Sequence, residues 1–137
     1  MGTGYGFTCS NCGYEKEFME GQGFAVRDQF IKEYLEDPSF RFHPNTHQKM
    51  EQLAGINEFL EMHCEYQTRF CEHCNLPFTK LYVEVSDHDH IYHQSRFRCS
   101  RCNRPLVETQ ITMTEVFRCP KCLHETLEFN ASDICWD

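Results

Sequence analysis

Four Cys-x-x-Cys hooks constrain this chain more than any other feature: Cys9/Cys12, Cys71/Cys74, Cys99/Cys102 and Cys119/Cys122. Only Cys64 and Cys135, of ten cysteines, lie outside them. A hook can be a metal clasp, a redox switch or part of a disulfide framework. A bridge inside one hook closes a four-residue loop, worth about 2 kcal/mol by chain entropy, and disulfide-rich domains usually scatter their cysteines to close longer loops. A four-thiolate zinc site contributes roughly 10–16 kcal/mol of apparent binding and folding energy. Zinc takes four thiolates at about 2.3 Å in a tetrahedron, and two hooks supply two edges of one. Four hooks therefore make two structural four-cysteine sites with no remainder, and two zinc ions are expected. Iron is the alternative metal, because tetrahedral sulfur suits both.

The spacing leaves two pairings open. Residues 103–118, NRPLVETQITMTEVFR, read as two short strands around Leu106, Val116 and Phe117. That hairpin would join Cys99/Cys102 to Cys119/Cys122. Residues 75–98 read as another hairpin, PFTKLYVEV and IYHQSRF around a DHDH turn, which would join Cys71/Cys74 to Cys99/Cys102 and leave the first and last hooks to meet. The sequential choice is preferred. It makes 99–122 one ribbon and brings Cys9/Cys12 to Cys71/Cys74 across a helical insertion.

That insertion, about 24–66, carries the clearest helical spacing. FAVRDQFIKEYLED places Phe30, Ile31, Tyr34 and Leu35 on one face and ends at Asp37-Pro38. NTHQKMEQLAGINEFLEMHCEY aligns Met50, Leu53, Ile56, Leu60 and Cys64, with Asn45 or Thr46 as the cap and Gly55 weakening the middle by up to about 1 kcal/mol. A stripe of this kind predicts a core face, with Cys64 buried as a small hydrophobe. Cys135, beside Trp136, is either packed or an exposed thiol, and Asp133 and Asp137 disfavour its thiolate.

The histidines are weaker signals. DHDHIYH sets His88, Asp89, His90 and His93 close together, with His88 and His90 on one side of a strand, as in a His-x-His metal pair. A solvated hairpin tip is the reading preferred here, because a catalytic metal site needs a further ligand and an open position. His73 and His124 lie inside or just after hooks, as substitute ligands or partners of the thiols.

The length of 137 residues suits one domain or a small domain with a zinc-bound appendage, and 12 Phe and 6 Tyr supply a core. MGTGYGFTCSNCGY has neither a basic start nor an apolar core of an export signal, and no apolar run approaches the roughly 20 residues of a membrane span. The expectation is a cytoplasmic protein, where thiols stay reduced, with no membrane partner. The formal charge is −8, and each four-thiolate zinc site adds −2, giving about −12. Such a charge disfavours generic nucleic-acid binding. Residues 96–122 are the exception. There Arg96, Arg98, Arg101, Arg104, Arg118 and Lys121 outnumber Glu108 and Glu115. These cations compensate the thiolates or meet an acidic partner or nucleic-acid strand, with Phe97 and Phe117 as stacking groups.

FTCSNCGY resembles the first knuckle of a rubredoxin, with aromatic, hook, glycine and aromatic in order. RCSRCNRPLV and RCPKCLHETLEF resemble the two halves of a zinc ribbon, and GYGFTCSNCGYEKEFMEGQGF is similar to the start of small uncharacterised bacterial zinc-ribbon proteins. The resemblance implies metal binding and lends no activity. Asn75, Asn103 and Leu123 stand where a knuckle commonly has glycine; Asn accepts the left-handed turn and Leu accepts it poorly, which predicts a less regular last hook. The resulting expectation is an α+β fold of zinc-ribbon-type antiparallel β hairpins with two zinc sites and a helical insertion. Residues 1–98 would form the first knuckle region, insertion and hairpin, and 99–137 the C-terminal ribbon and tail, in one compact unit.

No phosphate-binding glycine loop, Gly-x-Ser-x-Gly or His-Glu-x-x-His motif is present. The functional expectation is a non-enzymatic adaptor or regulatory binding module with a protein partner, nucleic acid entering only through 96–122. A redox protein, either a rubredoxin-like iron carrier or a zinc-releasing thiol switch, is the alternative.

Overall fold

A computed structural model describes residues 2–23, 26–37, 41–109 and 116–136, with side chains up to 129 in the last segment. Two antiparallel sheets dominate it. In chain order the elements are β1 (Gly2–Cys9), β2 (Glu15–Glu20), β3 (Gln29–Phe30), α1 (Ile31–Glu36), α2 (Pro44–Ala54), β4 (Glu61–Cys71), β5 (Leu76–Ser86), β6 (Ile91–Gln94), β7 (Val107–Glu108), β8 (Val116–Phe117) and β9 (Leu127–Trp136). One sheet runs β2-β1-β9-β8; the other runs β3-β4-β5-β6, with β7 on β4.

Strand β1 is the centre of the first sheet, paired with β2 on one side and β9 on the other. Its alternation places Phe7 and Cys9 on a buried face. Phe7 meets Phe18 at 5.2 Å and 89°, Phe129 at 5.8 Å and 85°, and Phe117 at 5.8 Å and 65°, all edge-on. Edge-to-face pairs of this kind add about 0.5–1.5 kcal/mol each beyond area burial. Phe117, read from the sequence as a stacking group for nucleic acid, is instead 3% exposed within this cluster.

In the second sheet, β4 and β5 form an 11-residue hairpin from Glu61↔Ser86 to Cys71↔Leu76. Helices α1 and α2 cover it, burying Ile31, Tyr34, Met50 and Leu53 against Leu60, Met62, Cys64, Val83 and Val85. The Tyr34 ring stacks on Phe42 at 4.6 Å, and its hydroxyl reaches His47 Nδ1 at 2.7 Å. The two sheets are stitched beside the end of β2: Thr79 of β5 donates its hydroxyl to the Met19 carbonyl of β2 at 2.9 Å and faces the Met19 N–H at 3.3 Å, and Gly21 exchanges two backbone bonds with Tyr66 of β4, both at 2.9 Å.

Three expectations change. Helix α2 stops at Ala54 and residues 61–71 are strand, so the stripe does not continue through Ile56, which is 72% exposed. Met62, Cys64 and Thr68 are buried at a spacing of two or a multiple of it, and this pattern overrides the helical one. The α2 cap is His43, whose ring accepts the Asn45 N–H at 3.3 Å, with Pro44 fixing the first turn, so Asn45 and Thr46 lie inside the helix. Residues 103–118 do not form a hairpin among the described residues, because β7 pairs with β4 and β8 with β9.

These positions separate cleanly in energy. Phe7→Ala should lose about 3–5 kcal/mol, read as a lower denaturant midpoint, whereas Ile56→Ala should change stability by no more than about 0.5 kcal/mol. A helix continuing through Ile56 into the core would give Ile56→Ala a core-sized loss.

Candidate metal centres

Each hook sits at the tip of a β ribbon. The first lies between β1 and β2, the second is the β4–β5 turn, and the fourth lies between β8 and β9. The third tips a narrow ribbon closed by the Arg98↔Pro105 bridge and the Leu106 N–H to Phe97 carbonyl bond at 3.0 Å. The β1–β9 register, Thr8↔Glu128 and Cys9↔Leu127, brings the first tip to the last. Pairing of β7 with β4, Arg69↔Glu108 and Phe70↔Val107, swings the third tip to the second.

The thiols gather accordingly. Cys9, Cys12, Cys119 and Cys122 form an outer group, and Cys71, Cys74, Cys99 and Cys102 an inner group; within each, all sulfurs lie within 4.8 Å of one another. The preferred sequential pairing is therefore corrected to the nested one. Its reason is register: the long β1–β9 ladder decides which hook the first one meets. Cys9–Cys122 and Cys12–Cys119 are 3.6 Å apart between sulfurs, and Cys71–Cys102 are 3.5 Å. Four sulfurs about 2.3 Å from one centre stand about 3.8 Å from each other, whereas a disulfide is about 2.05 Å. The donor sets thus fit a tetrahedral ion and not cystines, and they support two zinc ions. Cys9, Cys71, Cys74, Cys99 and Cys119 are buried, while Cys12, Cys102 and Cys122 are partly exposed.

All four turns share one device. The residue directly after the second cysteine of each is left-handed: Gly13 at φ 75°, Asn75 at 54°, Asn103 at 60° and Leu123 at 66°. In three of them that residue's N–H returns to the first cysteine carbonyl, at 2.9 Å for Gly13 and Asn103 and 2.8 Å for Leu123. The last hook is therefore as regular as the others, contrary to expectation. A left-handed residue costs roughly 1–2 kcal/mol, small beside the energy of metal ligation.

With no cation between them, the thiols are unevenly poised. In the outer group, the backbone N–H of His124 and the side chain of Asn11 draw the Cys122 thiol down to about 5. Cys12 is raised to about 11: the Tyr14 backbone lowers it, but burial and its three neighbouring thiols prevail. In the inner group, burial and sulfur neighbours push Cys74 up to about 12. Burial also acts to raise Cys99, yet the Cys102 and Arg101 backbone N–H groups outweigh it and hold Cys99 at about 7. Four like-charged sulfurs cannot all ionise without a cation between them.

Several contributors carried no legible signal. Thr126 Oγ1 lies 3.0 Å from Cys9 Sγ, and Asn11 Nδ2 lies 3.2 Å from His124 Nδ1. Asn75 serves both sites. It makes the inner turn, accepts the Arg118 N–H on its carbonyl at 2.8 Å, and donates from Nδ2 to Glu125 Oε1 at 3.2 Å in the outer ribbon. The turn role of Asn75 was legible, as an Asn directly after a hook; its bonds to the outer ribbon were not.

No other sequence candidate joins these centres as a ligand among the described residues, but His124 is a partner of the Cys122 thiol through its backbone N–H and its ring, and the His73 backbone N–H reaches Cys71. No group of three or more His, Cys, Asp or Glu includes His73, His88, His90, His93 or His124 among the described residues. Asp87 instead organises the hairpin tip, accepting the Asp89 and His90 N–H groups at 2.8 Å each and the Tyr92 hydroxyl at 2.7 Å. Cys64 is 1% exposed and its thiol is pushed up to about 12 by burial. The side chain of Cys135 lies outside the described residues. Arg96, Arg98, Arg101 and Arg104 are exposed around the third hook, where Arg98 donates to the Asn103 carbonyl at 2.9 Å. Phe97 is partly buried with the inner thiols, its ring 5.5 Å from the Arg69 guanidinium.

A LIM domain family model matches residues 71–127, fewer than half of the chain. No curated protein and no solved structure matches significantly. The matched segment holds the whole inner site but only Cys119 and Cys122 of the outer one, whose other two thiols lie far upstream. In the full chain, Cys9→Ser combined with Cys12→Ser should accordingly leave one zinc ion bound where the unaltered chain binds two, by metal analysis after gel filtration. In the full chain Leu123→Gly should stabilise by about 0.5–1 kcal/mol through relief of the left-handed turn, while Leu123→Val should lower the midpoint.

Proposed function

We propose that this chain is a non-enzymatic, zinc-clasped protein-interaction module acting as an adaptor or regulatory protein. The observation that carries the reading is the closure of both centres: four protein thiols surround each position, leaving no coordination site for a substrate. The LIM model over residues 71–127 supports it from a second direction, since LIM domains mediate protein–protein interactions. Zinc is favoured over iron on the same grounds.

In this reading each centre is a zinc-ribbon-like pair of knuckles, and the ions hold the ribbons that display the helical insertion. The nine described cysteines lie outside any disulfide, eight of them as zinc ligands, which suits a reducing compartment, and the cytoplasm is the proposed location. The exposed arginines of the third hook stand beside a site of charge −2 and serve first to balance it.

The decisive experiment is retention of partners from a reduced cell extract by the full chain, before and after zinc is stripped by a chelator. Zinc-loaded protein should carry two zinc ions per chain and retain a defined set of proteins, and the stripped protein should unfold and lose that set. Catalytic turnover, or iron with charge-transfer colour in protein purified without chelators, would overturn the reading.

A further inference from the structure

The insertion carries a surface that neither metal centre uses. The first turn of α1 and the 56–60 loop meet through two backbone bonds, the Ile31 N–H to the Leu60 carbonyl and the Lys32 N–H to the Glu58 carbonyl, both at 3.0 Å. They leave two aromatic rings on the outside: Phe30 is 42% exposed and Phe59 58%, edge-on at 6.2 Å. Large apolar side chains paired in solvent are the kind of surface that marks an interaction site.

Phe30 is also one wall of a cleft of about 430 Å³, whose other walls include Asp28, Glu33, Glu61, Met62 and His63. That volume falls within the range of ordinary ligand sites. Its charge is one-sided. Asp28 is engaged by His63 Nδ1 and Gln22 Nε2, both at 2.6 Å, and Glu33 accepts the Phe30 N–H at 2.7 Å. The Glu61 carboxylate has no hydrogen-bond or ion-pair partner among the described residues. Of the basic residues at hand among the described ones, Arg27 is exposed next to Asp28 and already engaged, and Lys32 is committed to Glu58 at 3.9 Å and to the Phe59 ring at 5.5 Å. A metal ion is not the occupant these acids select, because no three of them converge to ligand distance.

We propose that the Phe30–Phe59 pair and the adjoining cleft dock a polypeptide segment of a partner, with an arginine or lysine side chain entering toward Glu61 and a neighbouring apolar residue covering the two rings. The argument is charge complementarity beside apolar area: a cation satisfies the free carboxylate, and its apolar neighbour removes the rings from water. This inference rests on the module reading above and names its surface.

The test uses the zinc-loaded, nitrogen-15-labelled full chain titrated with the blocked peptide acetyl-Leu-Arg-Leu-amide, and with the same peptide carrying citrulline, which keeps the shape and removes the charge. Amide shifts should cluster in residues 28–33 and 56–63. Citrulline, Glu61→Gln and Phe59→Ser should each weaken binding by roughly three- to tenfold, with zinc content unchanged. Equal binding of both peptides, shifts centred on residues 96–104, or no shifts at all would overturn the proposal. Partner retention by Glu61→Gln and Phe59→Ser at the level of the unaltered chain would also overturn this surface while leaving the module reading standing; loss of retention only on zinc removal separates the two.

Discussion

Eight sulfurs held in two tetrahedral groups are the constraint on which this structure depends. The β4–β5 hairpin is long and has a core of its own, but two of the four ribbons that bear hooks include stretches too short to persist alone. Strands β7 and β8 are two residues each. What fixes them is that their hooks must deliver two sulfurs to a point where two others already stand. The ladder of β1 with β9 and the edge-on contacts of Phe7 then pack around that point.

The two centres are not independent clasps. Asn75 turns the inner knuckle and holds Arg118 and Glu125 of the outer ribbon. Phe70, next to the inner Cys71, meets Phe117, close to the outer Cys119, at 5.6 Å. A hydrogen bond and a ring contact thus run from one metal group to the other through residues adjacent to ligands. This geometry couples the positions of the sites, while the insertion, on the far part of the β4–β5 sheet, remains available for recognition.

Ligand identity was legible in the sequence because hook chemistry is local: two thiols three residues apart present one edge of a tetrahedron whatever lies around them. Pairing was not legible, because Cys-x-x-Cys carries no address. The address is the register of β1 on β9, set by side chains well over 100 residues apart in sequence. Residues 61–66 were misread for a different reason. Leu60 and Cys64 satisfy a helical spacing while Met62 and Cys64 satisfy a strand spacing, and only burial of alternate residues against the helices decides between them. Leu123 shows local preference yielding to a long-range demand, since the sulfurs beside it leave its turn no choice. Phe30 was read from the sequence onto the helical core face and Phe59 drew no reading; only solvent on both rings distinguishes them.

Nesting has a consequence for the order in which the chain becomes whole. The inner group closes across residues 75–98, whereas the outer one must span residues 13–118. Loop-closure entropy rises with length, so the inner knot forms at lower entropic expense and then shortens the path the outer one has to close. During synthesis, which proceeds from the N-terminus at about 5–20 residues per second, Cys9 and Cys12 emerge first and acquire their partners last. For that interval the oldest pair of thiols in the molecule waits without its metal, dependent on the reducing power of its surroundings.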